Sequence, residues 1–338
     1  MKVALTHILA SPLLVMALIS PSFADPLPLA TKKLEAIFGG GSPKSTEDLK
    51  EMQEHLRKLA EKVVPCTVNV RVGQAQGSGV IISKDGYILT AAHVISKPNL
   101  NAVIILHDGR EVQGKTLGLN LNLDAGMMKI DTPGDYPFVD MGESTHLQEG
   151  QWCMATGHPG GYEVGRQPVV RFGRILRPAS SNTPSIKTDC TLVGGDSGGP
   201  LFDMHGCVIG INSRIDPALS NNIHVPVDTY RNTWDRLVRG QKWGSRLGAK
   251  PWVGMTRVEG DGQVEIESVT ENGPAALAGI KKGDIILQFD GKDAPNWDAL
   301  KILMESRGPG DTVKVLVKRG ENKLEYDLKI LENPGRMR

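Results

Sequence analysis

A serine, a histidine and an aspartate in this sequence have the side chains that acyl transfer requires. Ser197 lies in GGDSGGP (194–200), His93 lies near the end of GYILTAAHV, and Asp124 precedes the apolar run AGMMKI. A serine hydroxyl is a weak nucleophile that needs a base, and a histidine oriented by a buried carboxylate is such a base near neutral pH. Because the chain order His, Asp, Ser is one of those known for a catalytic triad, the three residues form one candidate site.

The glycines around Ser197 are flanked by apolar, partly β-branched stretches of strand length. SIKTDCTLV precedes them and LFDMHGCVIGI follows. This pattern predicts a tight turn between two strands, in which glycines let the backbone approach another group closely.

The other side chains that we considered lack such a setting. His158, in ATGHPGG, follows a strand and begins a turn, so a structural role is predicted for it. Asp189 precedes the serine loop and either lines a substrate cleft or caps a turn. Four further histidines lie in loops or at strand ends without a matching motif: His107, His146, His205 and His224.

The composition is that of a soluble globular protein with room for two domains. Of 338 residues, 40% are hydrophobic and 23% are charged, which excludes the fibrous and disordered classes. The 39 basic residues balance 38 acidic ones, so no charge excess indicates nucleic acid or an anionic membrane as a partner. The expected partner is a protein, a peptide or a small molecule.

The first 24 residues are typical of a signal peptide. Lys2 precedes the apolar stretch ILASPLLVMALI (8–19), and Ser22-Phe23-Ala24 resembles a cleavage site. The alternative is a retained anchor, but the stretch is shorter than the roughly 20 residues that span a bilayer and contains Pro12. We therefore expect an exported protein, periplasmic or secreted, that begins near Asp25.

The four cysteines do not indicate a metal site. Export would place them in an oxidising compartment, but three pairings are possible and the sequence does not choose among them. No C-x-x-C motif occurs, so no zinc site is expected, and buried unpaired thiols remain an alternative. The cysteines are Cys66, Cys153, Cys190 and Cys207.

Composition shifts along the chain predict several segments. A lead-in is followed by an amphipathic helix with Ser45 and Asp48 at capping spacing and an apolar stripe that includes Leu49, Met52, Leu56, Leu59 and Val63. Many short strands then indicate an all-β barrel or sandwich, and a small domain with strands and two short helices ends the chain. The predicted bounds are 1–24 for the signal peptide, 25–62 for the lead-in and helix, 63–238 for the β domain, 239–251 for a linker and 252–332 for the last domain.

The motifs TAAHV, LDAGMMKI and GDSGGP together resemble those of trypsin-like serine proteases, and GSGVIISKDGYILTAAHV resembles the HtrA/Deg branch. The resemblance runs from about residue 47 to the end. It implies a mostly β fold with a chymotrypsin-like double β-barrel. It also implies that His93, Asp124 and Ser197 form the triad and that the N–H groups of Gly195 and Ser197 form the oxyanion hole. Asp196 departs from the family, which usually has Asn there.

The end of the chain resembles a PDZ domain of the HtrA/Deg type, a small α/β domain, through PWVGMTRV and ENGPAALAGIKKGDIILQFDGK. The resemblance implies that Trp252, Val253, Gly254 and Met255 form the loop that binds a peptide carboxylate. Consecutive backbone N–H groups suit a terminal carboxylate, while the peptide adds as a strand to the neighbouring sheet edge.

The resemblance implies an exported serine endopeptidase that cleaves unfolded or damaged proteins and binds C-terminal peptides at its PDZ domain. It implies no metal or organic cofactor and a trimer-based homo-oligomer, with the helix stripe near the subunit contacts; the same stripe could instead cover the first barrel. A pocket formed by 191–194, 212–214 and the strand around Ile223 has no obvious acidic residue at its base, which favours small or medium apolar side chains. The alternative function is a catalytically silent PDZ adaptor or holdase.

Overall fold

The computed structural model describes residues 25–180, 183–215, 221–244, 251–260 and 262–332. The predicted signal peptide and residues 245–250 of the predicted linker lie outside these ranges. Among the residues inside them, no helix is both long and apolar enough to cross a membrane.

Two helices precede the barrels, α1 (Lys32–Phe38) and α2 (Thr46–Val63). The Ser45 hydroxyl caps α2 by accepting a hydrogen bond from the Asp48 N–H, and the Asp48 carboxylate accepts one from the Lys44 N–H at 2.8 Å. Of the predicted stripe, Met52 and Leu59 are buried in a core cluster shared by both barrels. That part of α2 therefore covers the protein itself.

The first barrel contains six antiparallel strands and one short helix, α3, which carries His93. The order β5-β4-β1-β2-β3-β6 is closed by pairing of β5 with β6. Apolar residues on the inward faces of these strands form the barrel core. The elements are β1 (Thr67–Val72), β2 (Ala75–Ile81), β3 (Tyr87–Ala91), α3 (Ala92–Ile95), β4 (Asn101–Ile105), β5 (Glu111–Asn120) and β6 (Ala125–Ile130).

The second barrel also has six strands, closed in the order β10-β11-β12-β9-β8-β7. Ser197 lies in the loop between β9 and β10, as the flanking apolar runs predict. The strands are β7 (Trp152–Gly157), β8 (Val169–Arg177), β9 (Ile186–Thr188), β10 (Pro200–Phe202), β11 (Val208–Ile215) and β12 (Asn222–Pro226).

The segment after the second barrel differs from the predicted linker 239–251. After α4 (Val227–Asn232) and α5 (Trp234–Val238), a short strand β13 (Lys242–Trp243) pairs in parallel with β5 of the first barrel. Trp243 is buried, and the Arg236 guanidinium lies over its ring, 4.1 Å from the centroid. The start of that segment therefore belongs to the barrel unit.

The last domain is a small sheet with two helices and a core of its own. Its helices are those predicted at GPAALAG and after Asn296, whose side chain caps α7 by accepting from the Ala299 N–H. A mostly β double barrel followed by a small α/β domain is therefore confirmed. The elements are β14 (Pro251–Trp252), β15 (Met255–Arg257), β16 (Val264–Val269), α6 (Pro274–Ala278), β17 (Ile285–Phe289), β18 (Lys292–Asp293), α7 (Trp297–Glu305), β19 (Thr312–Arg319), β20 (Asn322–Lys329) and β21 (Leu331–Glu332).

Candidate active site

The serine loop of the second barrel lies against strand β2 of the first. The Ser197 carbonyl accepts a hydrogen bond from the Ser78 N–H at 2.8 Å. A Cβ at Gly77 would lie 2.8 Å from both the Ser197 carbonyl oxygen and a methyl of Val94, the residue after His93. Gly77 therefore lets the serine loop approach the segment that carries the histidine.

His93 and Asp124 meet as the sequence predicts. The imidazole Nδ1 lies 2.8 Å from Asp124 Oδ2, and the His93 backbone N–H donates to Oδ1 at 3.0 Å. Because an ionised carboxylate only accepts hydrogen bonds, Nδ1 carries the proton and Nε2 is left as the basic nitrogen. The second contact holds the carboxylate in register with the start of α3.

The backbone conformation and the Ser213 hydroxyl fix the position of Asp124. Its φ of 64° is left-handed, an uncommon conformation that its neighbours impose, and its carbonyl accepts from the Ala92 N–H. Ser213 on β11 donates its hydroxyl to Asp124 Oδ2 at 2.6 Å. The second barrel thus supplies one hydrogen-bond donor to the aspartate. Sequence reasoning did not identify this contact.

Ser197 is not joined to the histidine by a hydrogen bond. Within the described residues its hydroxyl has no hydrogen-bond partner, although the His93 side chain remains 35% exposed. Catalytic hydrogen bonds are often long in ligand-free enzymes and tighten when substrate binds. The serine loop packs beside the segment that carries His93, but in the described residues no hydrogen bond joins the two side chains.

The predicted oxyanion hole contains two unengaged donors. In the described part of the chain, neither the Gly195 N–H nor the Ser197 N–H donates a hydrogen bond, so neither donor is committed to another group. Gly195 has a φ of 100°, and a Cβ there would collide with the His158 carbonyl oxygen. The glycine is required by this close packing against 158–161, not only by access of substrate.

Asp196 is buried and meets a cation that sequence reasoning missed. Arg171 on β8 contacts both carboxylate oxygens, each at 3.1 Å, and the Val193 N–H donates to Oδ2 at 2.9 Å. Burial raises the pKa of Asp196, against the opposing effect of these donors. The aspartate that stands in place of the family's usual Asn is therefore paired inside the loop that carries Ser197.

A buried network of hydrogen-bonded polar side chains supports the same loop. Asn212 donates from Nδ2 to the carbonyls of Thr156 and Asp196, so its Oδ1 accepts from His224 Nδ1 at 3.0 Å. His224 Nε2 then accepts from the Thr188 hydroxyl at 2.7 Å. Burial lowers the pKa of His224 to about 3, so the ring is neutral and both nitrogens are used in hydrogen bonds.

The remaining side chains that the sequence singled out have other surroundings. His158 is buried with no hydrogen-bond partner for either ring nitrogen within the described ranges, and burial lowers its pKa to about 4. Asp189 accepts from the Arg174 N–H of strand β8 at 2.5 Å. Neither residue is hydrogen-bonded to the triad. In the same ranges, no cluster of three or more potential ligands could hold a metal ion.

The predicted carboxylate-binding loop joins β14 to β15. Gly254 has a φ of 68°, and its carbonyl accepts from the Thr270 N–H at 2.8 Å. The N–H groups of Val253 and Gly254 donate no hydrogen bond to any other described residue. Strand β15 ends its sheet, so one edge is unpaired in the described part of the domain, as strand addition by a peptide requires.

Comparison with known families divides the chain in the same way. The trypsin-like peptidase domain matches residues 77–211, and the PDZ domain matches residues 251–330. These two regions contain the triad candidates and the carboxylate-binding loop, respectively.

Curated relatives resemble most of the chain. A probable periplasmic serine endoprotease, DegP-like, of Pseudomonas fulva is 31% identical over 305 residues, covering 82% of this chain and 62% of that protein. One of Rickettsia conorii is 31% identical over 354 residues, covering 96% of this chain and 68% of that protein. The chain spans only 54% of the similar protein of Halomonas elongata.

Solved structures share the fold. The serine endoprotease from Yersinia pestis is 27% identical, with a TM-score of 0.54 over 82% of this chain and 97% of that chain. The HtrA-type protease AlgW with tripeptide is 24% identical, with a TM-score of 0.58 over the same shares, and is similar in fold alone.

Proposed function

Because this chain belongs to the DegP-like, HtrA-type serine endoproteases, we propose that it is an exported serine endopeptidase that cleaves unfolded or damaged proteins. The observation that carries the proposal is the His93–Asp124 pair, supported by Ser213, beside which the loop with Ser197 packs. Export is supported by the predicted signal peptide and by the periplasmic relatives.

In the proposed reaction each group has its own step in peptide hydrolysis. His93 Nε2 takes the proton of Ser197 as the serine oxygen attacks the scissile carbonyl, and the N–H groups of Gly195 and Ser197 stabilise the oxyanion. Asp124 fixes the tautomer and stabilises the imidazolium. The histidine then protonates the leaving amine, and a water molecule releases the acyl group from Ser197 by the reverse sequence. Every step uses side chains and amides of this chain.

A silent PDZ adaptor or holdase is the second candidate, favoured by the missing hydrogen bond at the Ser197 hydroxyl. Cleavage of unfolded casein by the purified mature chain separates the two functions. We expect fragments to accumulate, faster when a peptide that binds the PDZ domain is added. Binding of that peptide with no cleavage at any concentration would establish the adaptor and contradict the protease.

We propose that residues Trp252, Val253, Gly254 and Met255 capture free C-termini that end in apolar residues. The unengaged N–H groups of the loop and the open edge of β15 support this assignment. The domain also contacts helix α5, because Arg236 on that helix pairs with Asp311 at 2.8 Å and donates to the Ser306 carbonyl. A bound C-terminus can therefore bias the protease only as far as it prefers one arrangement of these contacts.

Replacement Gly254→Ala should weaken binding of a free-acid peptide by about tenfold or more, because alanine is strained at positive φ and its Cβ would lie 3.1 Å from Pro274. Fluorescence anisotropy with the acid peptide and its amidated twin measures this. The control is Gly320→Ala, which has a similar φ of 60° but no neighbour within 4 Å of its Cβ. Equal binding of acid and amide to the wild type would refute carboxylate capture.

The assembly that we propose is a trimer, supported by an apolar groove between α2 and β8. Leu49 is 53% and Phe172 is 40% exposed, and Leu56 and Val170 lie between them. Contiguous exposed apolar surface of this kind marks interaction sites. We expect light scattering to give a trimer for the mature chain and smaller species for the Leu49→Glu, Phe172→Glu variant. Leu277→Glu is the control because Leu277 is 73% exposed in the PDZ domain. A monomeric wild type at micromolar concentration would reject the trimer.

A further inference from the structure

We propose that Cys153 and Cys190 form a disulfide that ties the start of the serine loop to strand β7. Their Sγ atoms lie 3.7 Å apart, and both side chains are fully buried. The sequence left three pairings open, but among the described cysteines only these two sulfurs are in contact. Cys66 directs its thiol at the Lys62 carbonyl, and Cys207 lies in a different turn, after β10.

The packing around the pair holds the two sulfurs together. Cys153 lies opposite Gly173 in the ladder between β7 and β8. A Cβ at Gly173 would lie 2.6 Å from Cys190 Sγ, so the absence of a side chain there creates the space that Cys190 fills. Only a small closure is needed to bring sulfurs at this separation to the bonding distance of about 2.05 Å.

The two cysteines are oxidised by exchange with a disulfide donor, which is either a thiol–disulfide oxidoreductase or oxidised glutathione. The donor disulfide is reduced to two thiols. One thiolate attacks the donor, forming a mixed disulfide and releasing one donor thiol. The second cysteine sulfur attacks that mixed disulfide and releases the other. The two protons leave with the two donor thiols, and one sulfur–sulfur bond forms. In the cell this step rests on the proposed export, because disulfides persist in oxidising compartments.

The disulfide would stabilise the hydrogen-bond network of Thr188, His224 and Asn212, which supports the loop that carries Ser197. The Cys190 N–H donates to the Thr188 hydroxyl, which donates to His224, and His224 is linked through Asn212 to the Asp196 carbonyl. Fixing Cys190 to β7 fixes the first member of this network. The disulfide would also close a loop of 37 residues, and closing such a loop stabilises a fold chiefly by restricting the unfolded chain.

Peptide mapping after oxidative refolding tests the pairing independently of export. The mature chain is refolded with oxidised and reduced glutathione, free thiols are alkylated, and the protein is cleaved before its aspartates. This cleavage isolates each cysteine in its own fragment, 48–84, 140–188, 189–195 and 203–215. We expect 140–188 linked to 189–195, with the other two fragments alkylated. Alkylation of both Cys153 and Cys190, or linkage of either to another cysteine, would overturn the proposal.

Two variants show whether the bond has the predicted effect on the fold. Oxidised wild type should melt roughly 5 to 15 °C above reduced wild type, and hydrogen exchange in 189–195 should be slower. The Cys66→Ala, Cys207→Ala variant should keep this difference, whereas Cys190→Ala should lose it. Absence of the difference in a wild type shown to be linked would refute the stabilising role. If the Cys153–Cys190 disulfide forms on refolding but protein recovered from cells is reduced, the result would contradict the proposed export and leave the pairing supported.

Discussion

Replacement Ser197→Ala should lower kcat for casein or a peptide reporter by about three or more orders of magnitude. The Ser197 hydroxyl oxygen is the atom that forms the acyl bond in the proposed reaction. Without it, the oxyanion-hole donors alone would give only a small residual rate. The Ser197 side chain has no hydrogen-bond partner among the described residues, so its loss should leave the melting temperature within a few degrees.

The comparison that isolates this effect is Ser42→Ala, an exposed serine between α1 and α2. It should retain wild-type turnover, and both variants should bind a free C-terminal peptide equally well. A Ser197→Ala protein that retains more than a tenth of wild-type activity would show that another group is the nucleophile.

Replacement Arg171→Met should destabilise the fold by roughly 3 kcal/mol or more, because it leaves the Asp196 carboxylate buried without its cation. That loss corresponds to a fall in melting temperature of about 10 °C for a domain of this size. Turnover should also fall, since Asp196 holds the Val193 N–H and packs within the loop that presents Ser197. Thermal denaturation and kcat/KM measure the two effects.

The pH dependence distinguishes a lost ion pair from lost packing. Burial already raises the pKa of Asp196, and removal of the arginine raises it further. A carboxyl with a raised folded-state pKa favours folding when protonated, and this contribution is lost as the pH rises above the usual value of 3.8. The defect of Arg171→Met should therefore be largest at neutral pH and shrink toward pH 4.

Two variants provide the controls for the arginine. Arg110→Met removes a single exposed ion pair, with Asp108, between β4 and β5 and should change stability by less than about 1 kcal/mol. Arg171→Met combined with Asp196→Asn removes both buried charges and should recover most of the lost stability. A single Arg171→Met defect that does not vary between pH 4 and pH 7 would contradict the ion-pair interpretation.

Sequence patterns predicted the features that short segments determine by themselves. Short apolar runs with turn residues indicated an all-β barrel or sandwich, and the family resemblance implied two barrels. Ser45 with its spacing to Asp48 marked the start of α2. The contact of His93 with Asp124 followed from motifs that place each residue at the end or the beginning of a strand. These features depend on short segments, so they can be read without knowing how the segments pack.

The partners of the serine loop could not be predicted because they come from distant strands. Arg171 lies in a strand whose residues carry no motif, so nothing in the sequence links it to Asp196. His224 was set aside because nothing near it in sequence marks it, yet strand pairing places it opposite Asn212. Trp243 was assigned to a linker for the same reason, since its parallel pairing with β5 joins residues far apart in the chain.

Covalent labelling with a fluorophosphonate tests the central claim most directly, because the reagent reacts only with a serine that has an active base and an oxyanion site. The mature chain should be labelled in the presence of a free C-terminal peptide, and digestion should place the label on Ser197. His93→Ala should prevent labelling, whereas His146→Ala, which removes an 82% exposed side chain, should not. Folded wild-type protein that is never labelled at Ser197, with or without peptide, would contradict the assignment of a working triad to this site.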